Sequence, residues 1–217
     1  GVATGSIRAK PPIRVTDQIL SFILSWLKNA PKEAREKATM YSLDLSQARL
    51  PYIDLAFSNF QSTRLSGANL QVCNLKSACL EQADLSGADL SSATLDHAIA
   101  VNANFESAIL QGASMRSAKL NNSIFRSSRL QGIEAENSHF ELADMTGAQL
   151  TGAILYNANL TSANLTSANL QKANLQNANL TDTNLNDANL AGAVLTGCMI
   201  MGPIQRSFMK GVTLDFA

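Results

Sequence analysis

Large apolar residues recur at every fifth position of the chain, from residue 45 to residue 200. Of these 32 positions, 23 hold Leu and only two, Ala100 and Ala135, hold a small residue. A second position, two residues earlier, holds Ala in 21 of the 32 cases. An α-helix repeats every 3.6 residues and a strand every two. The period of five therefore predicts neither a helix nor a flat sheet.

Each five-residue unit can be read as a short extended step followed by a corner. The Ala and Leu positions are two apart, so in an extended segment both side chains point to the same side, and the residue between them points outward. The last two residues are mostly Ser, Thr, Gly, Gln and Asn, which favour turns. A corner every five residues closes a coil, and stacked coils satisfy each other's backbone hydrogen bonds.

The stretch ANLTSANLTSANLQKANLQNANL at residues 158–180 resembles the pentapeptide-repeat family. The resemblance covers residues 41–200. It implies an all-β solenoid, a right-handed quadrilateral parallel β-helix with four units per coil. The 32 units then make about eight coils. Outward Asn residues twenty apart, such as Asn159 and Asn179, are expected to form side-chain amide ladders.

Two exceptions test this interpretation of the core. Ala135 has lost the large side chain, but the small position of the same unit holds Ile133. The large and the small side chain have therefore exchanged positions within this unit, and the exchange conserves the volume of the core. Ala100 has no such partner, because Ala98 is also small. We therefore predict a local distortion at residues 98–101.

The two ends divide the chain into a flexible segment at residues 1–15, a helical cap at 16–40, the β-helix at 41–200 and a C-terminal tail at 201–217. The helix is favoured as a plug for the open core, since repeat arrays need capping. Its apolar excess and flanking basic residues also suit a membrane surface at residues 16–30 or a protein partner, and helix-mediated dimerisation is the remaining alternative. The tail is expected to cap its own last coil or to mediate a homodimer. The candidate residues of the helix are Ile19, Leu20, Ile23, Leu24, Trp26 and Leu27.

Charge and cysteine content narrow the function classes. Lys plus Arg equals Asp plus Glu at 17 each, which argues against direct nucleic-acid binding, because such binding needs a basic face. Three cysteines are too few for a disulfide scaffold. Apparently unpaired cysteines and the lack of a visible signal peptide favour a cytoplasmic location slightly, although a targeting segment removed from the chain remains an alternative.

We find no catalytic or metal-binding constellation in the sequence. The two histidines, His97 and His139, fall on different sides of the coil, and no phosphate loop, HEXXH or GXSXG motif is present. We therefore expect neither an enzyme nor a cofactor or metal site.

Apolar and charged outward residues replace the usual Asn in the middle of the rod. Exposed apolar residues among charges are typical of a contact surface, and the alternative is free drift of outward positions. The candidate partner surface consists of Ile99, Val101, Ile109, Arg116, Lys119, Ile124, Arg126 and Arg129.

Three functions follow as hypotheses. The first is a rigid, non-enzymatic scaffold that docks an unidentified protein partner through the middle of the rod. The second comes from the resemblance, which implies a DNA-mimic inhibitor or protector of a type II topoisomerase such as gyrase; a net charge of −5 over residues 41–200 and the lack of insertions speak against it. The third is a membrane-associated assembly factor that binds through the N-terminal helix.

Overall fold

A computed structural model describes residues 13–14, 17–31, 33–34 and 40–201. Five named elements occur in chain order: strand β1 (Ile13–Arg14), helix α1 (Asp17–Asn29), strand β2 (Leu43–Asp44), strand β3 (Asn179–Thr181) and strand β4 (Met199–Met201). From β2 to β4 the chain winds continuously as a helix of short extended steps, and β3 is one of these steps. Its extended steps are so short that they form isolated parallel bridges instead of long strands.

The coil closes every twenty residues. Each outward residue pairs in parallel with the residue twenty positions later, as in the series Asp44, Arg64, Asp84. β3 pairs with β4 in the same register, with Leu180 opposite Ile200. Four five-residue units therefore form one turn of a β-helix, as the sequence predicts. The right-handed sense of the coil stays a prediction from the family resemblance.

The inward side chains form one continuous core along the rod. Nearly every large position and its small companion is buried, from Leu45 to Leu195. Each corner has two residues, and the second of them has a positive φ, between 54° and 70°, at every fifth position from 42 to 197. Only eight of these 32 residues are Gly. The corner therefore depends on residues that tolerate the left-handed region, mostly Ser, Asn and Gly.

The exchange of large and small side chains at residues 133–135 is confirmed. Ile133 and Ala135 are both fully buried. The ring of Phe140, in the next unit, meets that of Phe125 edge to face, with centroids 5.8 Å apart. The added aromatic volume lies immediately beside the position that lost its Leu.

The predicted distortion at residues 98–101 is wrong. Ile99 pairs with Cys79 and Lys119 in the regular register, and the amide of Ala100 donates to the carbonyl of Lys119 at 2.7 Å. The next unit carries Phe105, whose fully buried ring stacks on that of Phe125 at 4.7 Å. As at residue 135, a Phe in the following unit supplies volume that the small residue leaves.

The N-terminal end contains one feature that sequence reasoning placed in a flexible segment. β1 pairs in parallel with β2, with Ile13 opposite Leu43 and Arg14 opposite Asp44. α1 forms where a helix was predicted, and Ile23 packs against the rod core. Its role as a cap stays a prediction. The proposed C-terminal cap or dimer contact falls at residues 202–217, outside the described residues.

Candidate interaction surface

The twenty-residue register assigns every outward residue to one of four faces. We name them A, B, C and D in chain order, and each holds every twentieth residue: Asp44 to Asn184 on A, Arg49 to Asn189 on B, Asp54 to Val194 on C, and Asn59 to Met199 on D. With four units per coil, face A lies opposite C and face B opposite D. A continuous surface patch must therefore be read in steps of twenty residues as well as along the chain.

The structure does not bring the eight candidate contact residues together on one face. Ile99 and Lys119 are bridge partners on face D, and Val101 follows at the next corner. Ile109 and Arg129 are bridge partners on face B, on the opposite side of the rod. Ile124 lies on face A, Arg126 lies at the A–B corner, and Arg116 lies at the C–D corner.

A side-chain hydrogen bond closes the corner wherever the outward residue is Asn or Asp. In the unit around Leu165, backbone carbonyls accept from the amides of residues 165, 167, 168 and 169. The fifth amide, that of Thr166, donates to Asn164 Oδ1 at 3.2 Å. All sixteen outward Asn and Asp residues make this bond to the amide two positions later. The outward Asn thus completes the hydrogen bonding of its own unit.

The side-chain amide nitrogens of several outward Asn residues donate to side chains of the preceding coil. The Asn159 oxygen accepts from the amide and hydroxyl of Thr161, and its amide nitrogen donates to Glu141 at 2.6 Å. Asn164 similarly donates to the Thr146 hydroxyl at 2.9 Å. Among the described hydrogen bonds, none joins the side chains of Asn159 and Asn179, so the expected ladder is wrong there. The turn does not exclude such a bond, because Asp54 Oδ1 accepts from both the Ala56 amide and the Asn74 side chain.

Replacement of the closing Asn or Asp in the middle of the rod affects mainly three of the four faces, and it is complete on faces C and D. From residue 79 to residue 154, face C holds Thr94, Ser114, Glu134 and Ile154, and face D holds Cys79, Ile99, Lys119 and His139. Neither face has an outward Asn or Asp over these four consecutive coils. In the same range face B has three replacements, Ile109, Arg129 and Gln149, whereas face A has one, at Ile124. From residue 159 to residue 189, by contrast, all seven outward residues are Asn.

Arg116 occupies the corner between faces C and D and is already surrounded by carboxylates. Its guanidinium contacts Glu134 at 2.5 Å, Glu136 at 3.3 Å and Asp96 at 4.0 Å. Asp96 also accepts the Arg116 amide at 3.0 Å, which replaces the missing Asn closure in that unit. Three carboxylates around one cation leave this corner acidic, so Arg116 contributes less positive surface than its sequence position indicates.

Arg126 is likewise engaged by a carboxylate. Its Nε atom lies 2.7 Å from Asp144 Oδ2. Burial raises the pKa of the Asp144 carboxyl, but hydrogen bonds from Thr146 and Arg126, together with the Arg126 charge, outweigh burial and hold that pKa below its ordinary value. Of the four basic candidates, exposed Lys119 on face D and exposed Arg129 on face B remain as outward charges on opposite sides.

Face D joins apolar and polar side chains into one mixed patch. We define the face D patch as Ile99, Val101, Lys119, His139 and Leu142. Leu142 is 60% exposed, and Ile99 and Val101 are half-buried. His139 contacts Glu141 at 3.2 Å, and Glu141 also accepts from Asn121 at 2.6 Å. This combination of apolar and charged side chains is typical of a protein contact surface.

The cysteines are free thiols, and two of them point inward. Cys73 Sγ lies 2.6 Å from the carbonyl of Leu50, and Cys198 Sγ lies 2.8 Å from that of Leu175. Burial raises the pKa of Cys73, and it raises the pKa of Cys198 to about 11. Both are therefore poor nucleophiles at neutral pH. Cys79 is half-buried on face D.

Helix α1 exposes several of its candidate residues. Ile19, Phe22 and Trp26 are 49%, 73% and 37% exposed, while Ile23 packs against the core. The side chains of Leu20, Leu24 and Leu27 lie outside the described part of the structure. Sequence reasoning missed Phe22 as a site residue, although its spacing from Ile19 and Trp26 puts all three on one stripe.

Within the described ranges, no group of three or more His, Cys, Asp or Glu residues could hold a metal ion. In the same residues, α1 and its neighbours provide no helix that is long and apolar enough to cross a lipid bilayer.

The coil geometry agrees with a match to a known family. The sequence profile described as pentapeptide repeats matches eight copies in this chain, in overlapping segments that run from residue 38 to residue 197. The chain belongs to the pentapeptide-repeat family. A comparison with curated proteins finds no match.

Solved structures of pentapeptide-repeat proteins are also similar to this chain. Full-length QnrB1, a plasmid-mediated fluoroquinolone resistance protein, is 17% identical with a TM-score of 0.50, over 77% of this chain and 91% of its own. HetL from the cyanobacterium Nostoc sp. strain PCC 7120, involved in heterocyst differentiation regulation, is 26% identical with a TM-score of 0.39, over 92% and 97%. AT2G44920 from the Arabidopsis thaliana thylakoid lumen is 30% identical with a TM-score of 0.25, over 56% and 70%. The likeness to QnrB1 supports the fold alone.

Proposed function

We propose that this pentapeptide-repeat protein is a non-enzymatic, rigid scaffold that binds a protein partner through the face D patch in the middle of the rod. The observation that carries the proposal is the mixed apolar and charged surface of face D, on which no corner-closing Asn or Asp remains over four consecutive coils. Each lost closure that no other side chain replaces forgoes a hydrogen bond worth about 0.5–1.5 kcal/mol. The backbone register is kept throughout, so the replacements change the surface and leave the fold intact.

Face D is favoured over face B because it carries a denser mixed surface. Ile99, Lys119 and His139 follow one another in register, and Leu142 adds an exposed apolar side chain at the next corner. The acidic corner around Arg116 borders the patch on its other side. On face B, Asp89 still closes its own corner by accepting the Ser91 amide. A partner with apolar and charged contact residues fits the face D patch.

The test restores the family's default residue instead of disrupting the rod. The variant I99N/K119N places a corner-closing Asn at both positions, and it removes the two side chains at the centre of the face D patch. The matched control I109N/R129N makes the same change on the opposite face. Affinity capture from the native lysate should lose the partner with I99N/K119N and keep it with the control. Capture that survives the face D change, or that is lost equally with both variants, contradicts the proposal.

A topoisomerase-directed DNA mimic is the alternative function, and the surface charge favours it less. A duplex mimic needs negative charge on every side. Face B with its following corner carries Arg49, Arg129 and Lys172 against a single carboxylate, Asp89. A gyrase supercoiling assay with the protein in excess separates the two functions, because a scaffold of the proposed kind leaves supercoiling unchanged.

We also propose that α1 covers the N-terminal opening of the core. The contact of Ile23 with the core supports this role. An Ile23→Ser variant should then unfold at lower denaturant concentration than the wild type, whereas an unchanged midpoint contradicts the cap.

A further inference from the structure

Exposed large apolar residues are concentrated at the N-terminal end of the rod. Among the described residues, nine large apolar or aromatic side chains are exposed, and six of them lie within the first 72 residues. The six are Ile19, Phe22, Trp26, Tyr41, Tyr52 and Val72. Single exposed apolar residues are ordinary on protein surfaces, but a concentration at one end of a molecule marks a contact region.

The helix presents its exposed apolar residues as one stripe. Ile19, Phe22 and Trp26 follow the three- and four-residue spacing that places side chains on one side of a helix. Polar Gln18, Ser21, Ser25 and Asn29 occupy the neighbouring exposed positions. The stripe is not the side that holds the helix on the rod, because that contact is made by Ile23.

Both connections of α1 lead to the first coil. Before the helix, β1 pairs with β2 at Leu43–Asp44. After it, the amide of Met40 donates to the carbonyl of Asn59 at 2.8 Å. The stripe therefore belongs to the same end of the molecule as Tyr52, which is 75% exposed at the first B–C corner, and Val72, 49% exposed one coil later.

Charge divides the molecule in the same way as apolar exposure. Residues 1–80 contain ten Lys and Arg against five Asp and Glu, whereas residues 81–201 contain five against eleven. Among the described side chains of the first two coils, Arg49, Arg64 and Lys76 are exposed, and so is Asp54. The first 80 residues of the sequence are therefore basic, and residues 81–201 are acidic.

We infer that the N-terminal end of the rod binds an anionic lipid surface, with the α1 stripe lying in the interface. Trp, Phe and Tyr beside Lys and Arg are the residues that peripheral proteins use at such interfaces. Basic residues near an anionic leaflet add electrostatic attraction to the apolar contribution. The acidic part of the rod is repelled from the same surface, so it points away from the lipid. The face D patch then remains in water, and this lipid-binding role is independent of the proposed scaffold function.

The single tryptophan provides a direct readout in the intact protein, because Trp26 is the only one in the chain. Vesicles of equal parts phosphatidylcholine and phosphatidylglycerol should shift Trp26 fluorescence to shorter wavelength and should carry the full chain upward in flotation. Vesicles of phosphatidylcholine alone should do neither to a comparable extent. Raised salt should weaken the binding, because it screens the charge attraction.

A surface variant separates lipid insertion from unspecific attraction. Phe22→Ser removes the most exposed apolar side chain of α1 and should weaken partitioning about tenfold or more. Leu142→Ser, which removes a side chain that is 60% exposed in the middle of the rod, is the matched control and should bind like the wild type. Circular dichroism and the unfolding midpoint confirm that both variants remain folded.

Three outcomes would overturn the inference. One is the absence of flotation and of a spectral shift with the anionic vesicles. Another is equal binding by the wild type and Phe22→Ser. The last is a Trp26 shift that depends on protein concentration without vesicles, which would assign the stripe to a second copy of this chain.

Discussion

Residues 94–139 and residues 159–189 are two stretches of one rod that share a core and differ on the outside. Both keep the same bridge register, and both bury their inward side chains almost completely. In the second stretch, all seven outward residues are Asn that close their own corners. In the first stretch, only one of ten outward residues, Asn104, does so. The fold therefore needs the inward pattern more than it needs the outward one.

The difference also shows how this solenoid separates stability from recognition. Inward residues pair large with small and leave little freedom, since cores are close-packed. Outward residues contribute one hydrogen bond each, so they can be replaced one at a time at modest cost. A replacement that adds nothing should drift over all four faces. Replacement between residues 79 and 154 is complete on faces C and D and reaches three of four positions on face B, so the reason for assigning face D a use is its mixed apolar and charged surface.

The largest expected effect concerns the core of the irregular stretch. Ile133→Ala should destabilise the protein by about 2–5 kcal/mol because it leaves a cavity, and Ala135→Leu alone should cost about 1–3 kcal/mol through overpacking. Together they recreate the Ala173 and Leu175 arrangement of the regular stretch. The double variant should therefore lie within about 1.5 kcal/mol of the wild type in urea unfolding. Additive losses would show that the two side chains do not compensate.

A smaller effect is expected at the corners. Asn169→Ala removes the closure of the Gln171 amide and should cost about 1 kcal/mol. Arg129→Ala, on the same face two coils earlier, should change stability by less than about 0.5 kcal/mol, whereas Arg129→Asn should stabilise. Equal losses for the two Ala variants in chemical denaturation would remove the distinction between the stretches.

Relief of backbone strain at one corner should raise the free energy of unfolding, by an amount equal to or smaller than the loss expected for Asn169→Ala. Leu142 has a φ of 60°, a region that Leu adopts at a cost and Asn tolerates. Leu142→Asn should therefore raise the free energy of unfolding by up to about 1 kcal/mol. The control is Ser162→Asn, one coil later at a φ of 57°, and it should be nearly neutral. A loss of stability in Leu142→Asn, measured by thermal unfolding, would contradict the strain.

The smallest effect is a pH dependence that arises from Asp144, which lies between the two stretches. The pKa of Asp144 is lower in the folded protein than its ordinary value of 3.8. Its stabilising contribution is therefore present above that value and is lost as the pH falls through the lowered pKa. The unfolding midpoint of Asp144→Asn, which recreates Asn164 of the next coil, should fall less steeply in acid than that of the wild type. If the unfolding midpoints of the wild type and of Asp144→Asn fall equally steeply with decreasing pH, Asp144 makes no such contribution.

The sequence predicts the architecture because the five-residue period determines which side chains point inward. It also predicts the exchange of Ile133 and Ala135. It does not locate the contact surface, since grouping residues by position along the chain joined Ile99 to Ile109, which lie on opposite faces. Reading the chain in steps of twenty would have separated them. The role of the outward Asn was missed because a ladder and a turn closure require the same residue type.

Two other features depend on contacts that a local pattern does not reveal. At Ala100 the backbone is regular and the next unit carries the buried Phe105, whereas the sequence analysis compared side-chain volumes only within one unit. β1 consists of two residues, Ile13 and Arg14, whose partners lie thirty positions later. No local periodicity identifies so short a strand.

Amide hydrogen exchange measured residue by residue tests the central distinction most directly. The amides of Thr166, Gln171 and Gln176 donate to the Asn side chains that close their corners. Gln111, Asn121 and Gln131 occupy equivalent positions after Ile109, Lys119 and Arg129, which offer no such oxygen. We expect the first group to exchange about fivefold or more slowly than the second, as one hydrogen bond requires. Equal exchange rates in the two groups would contradict the difference between the two stretches.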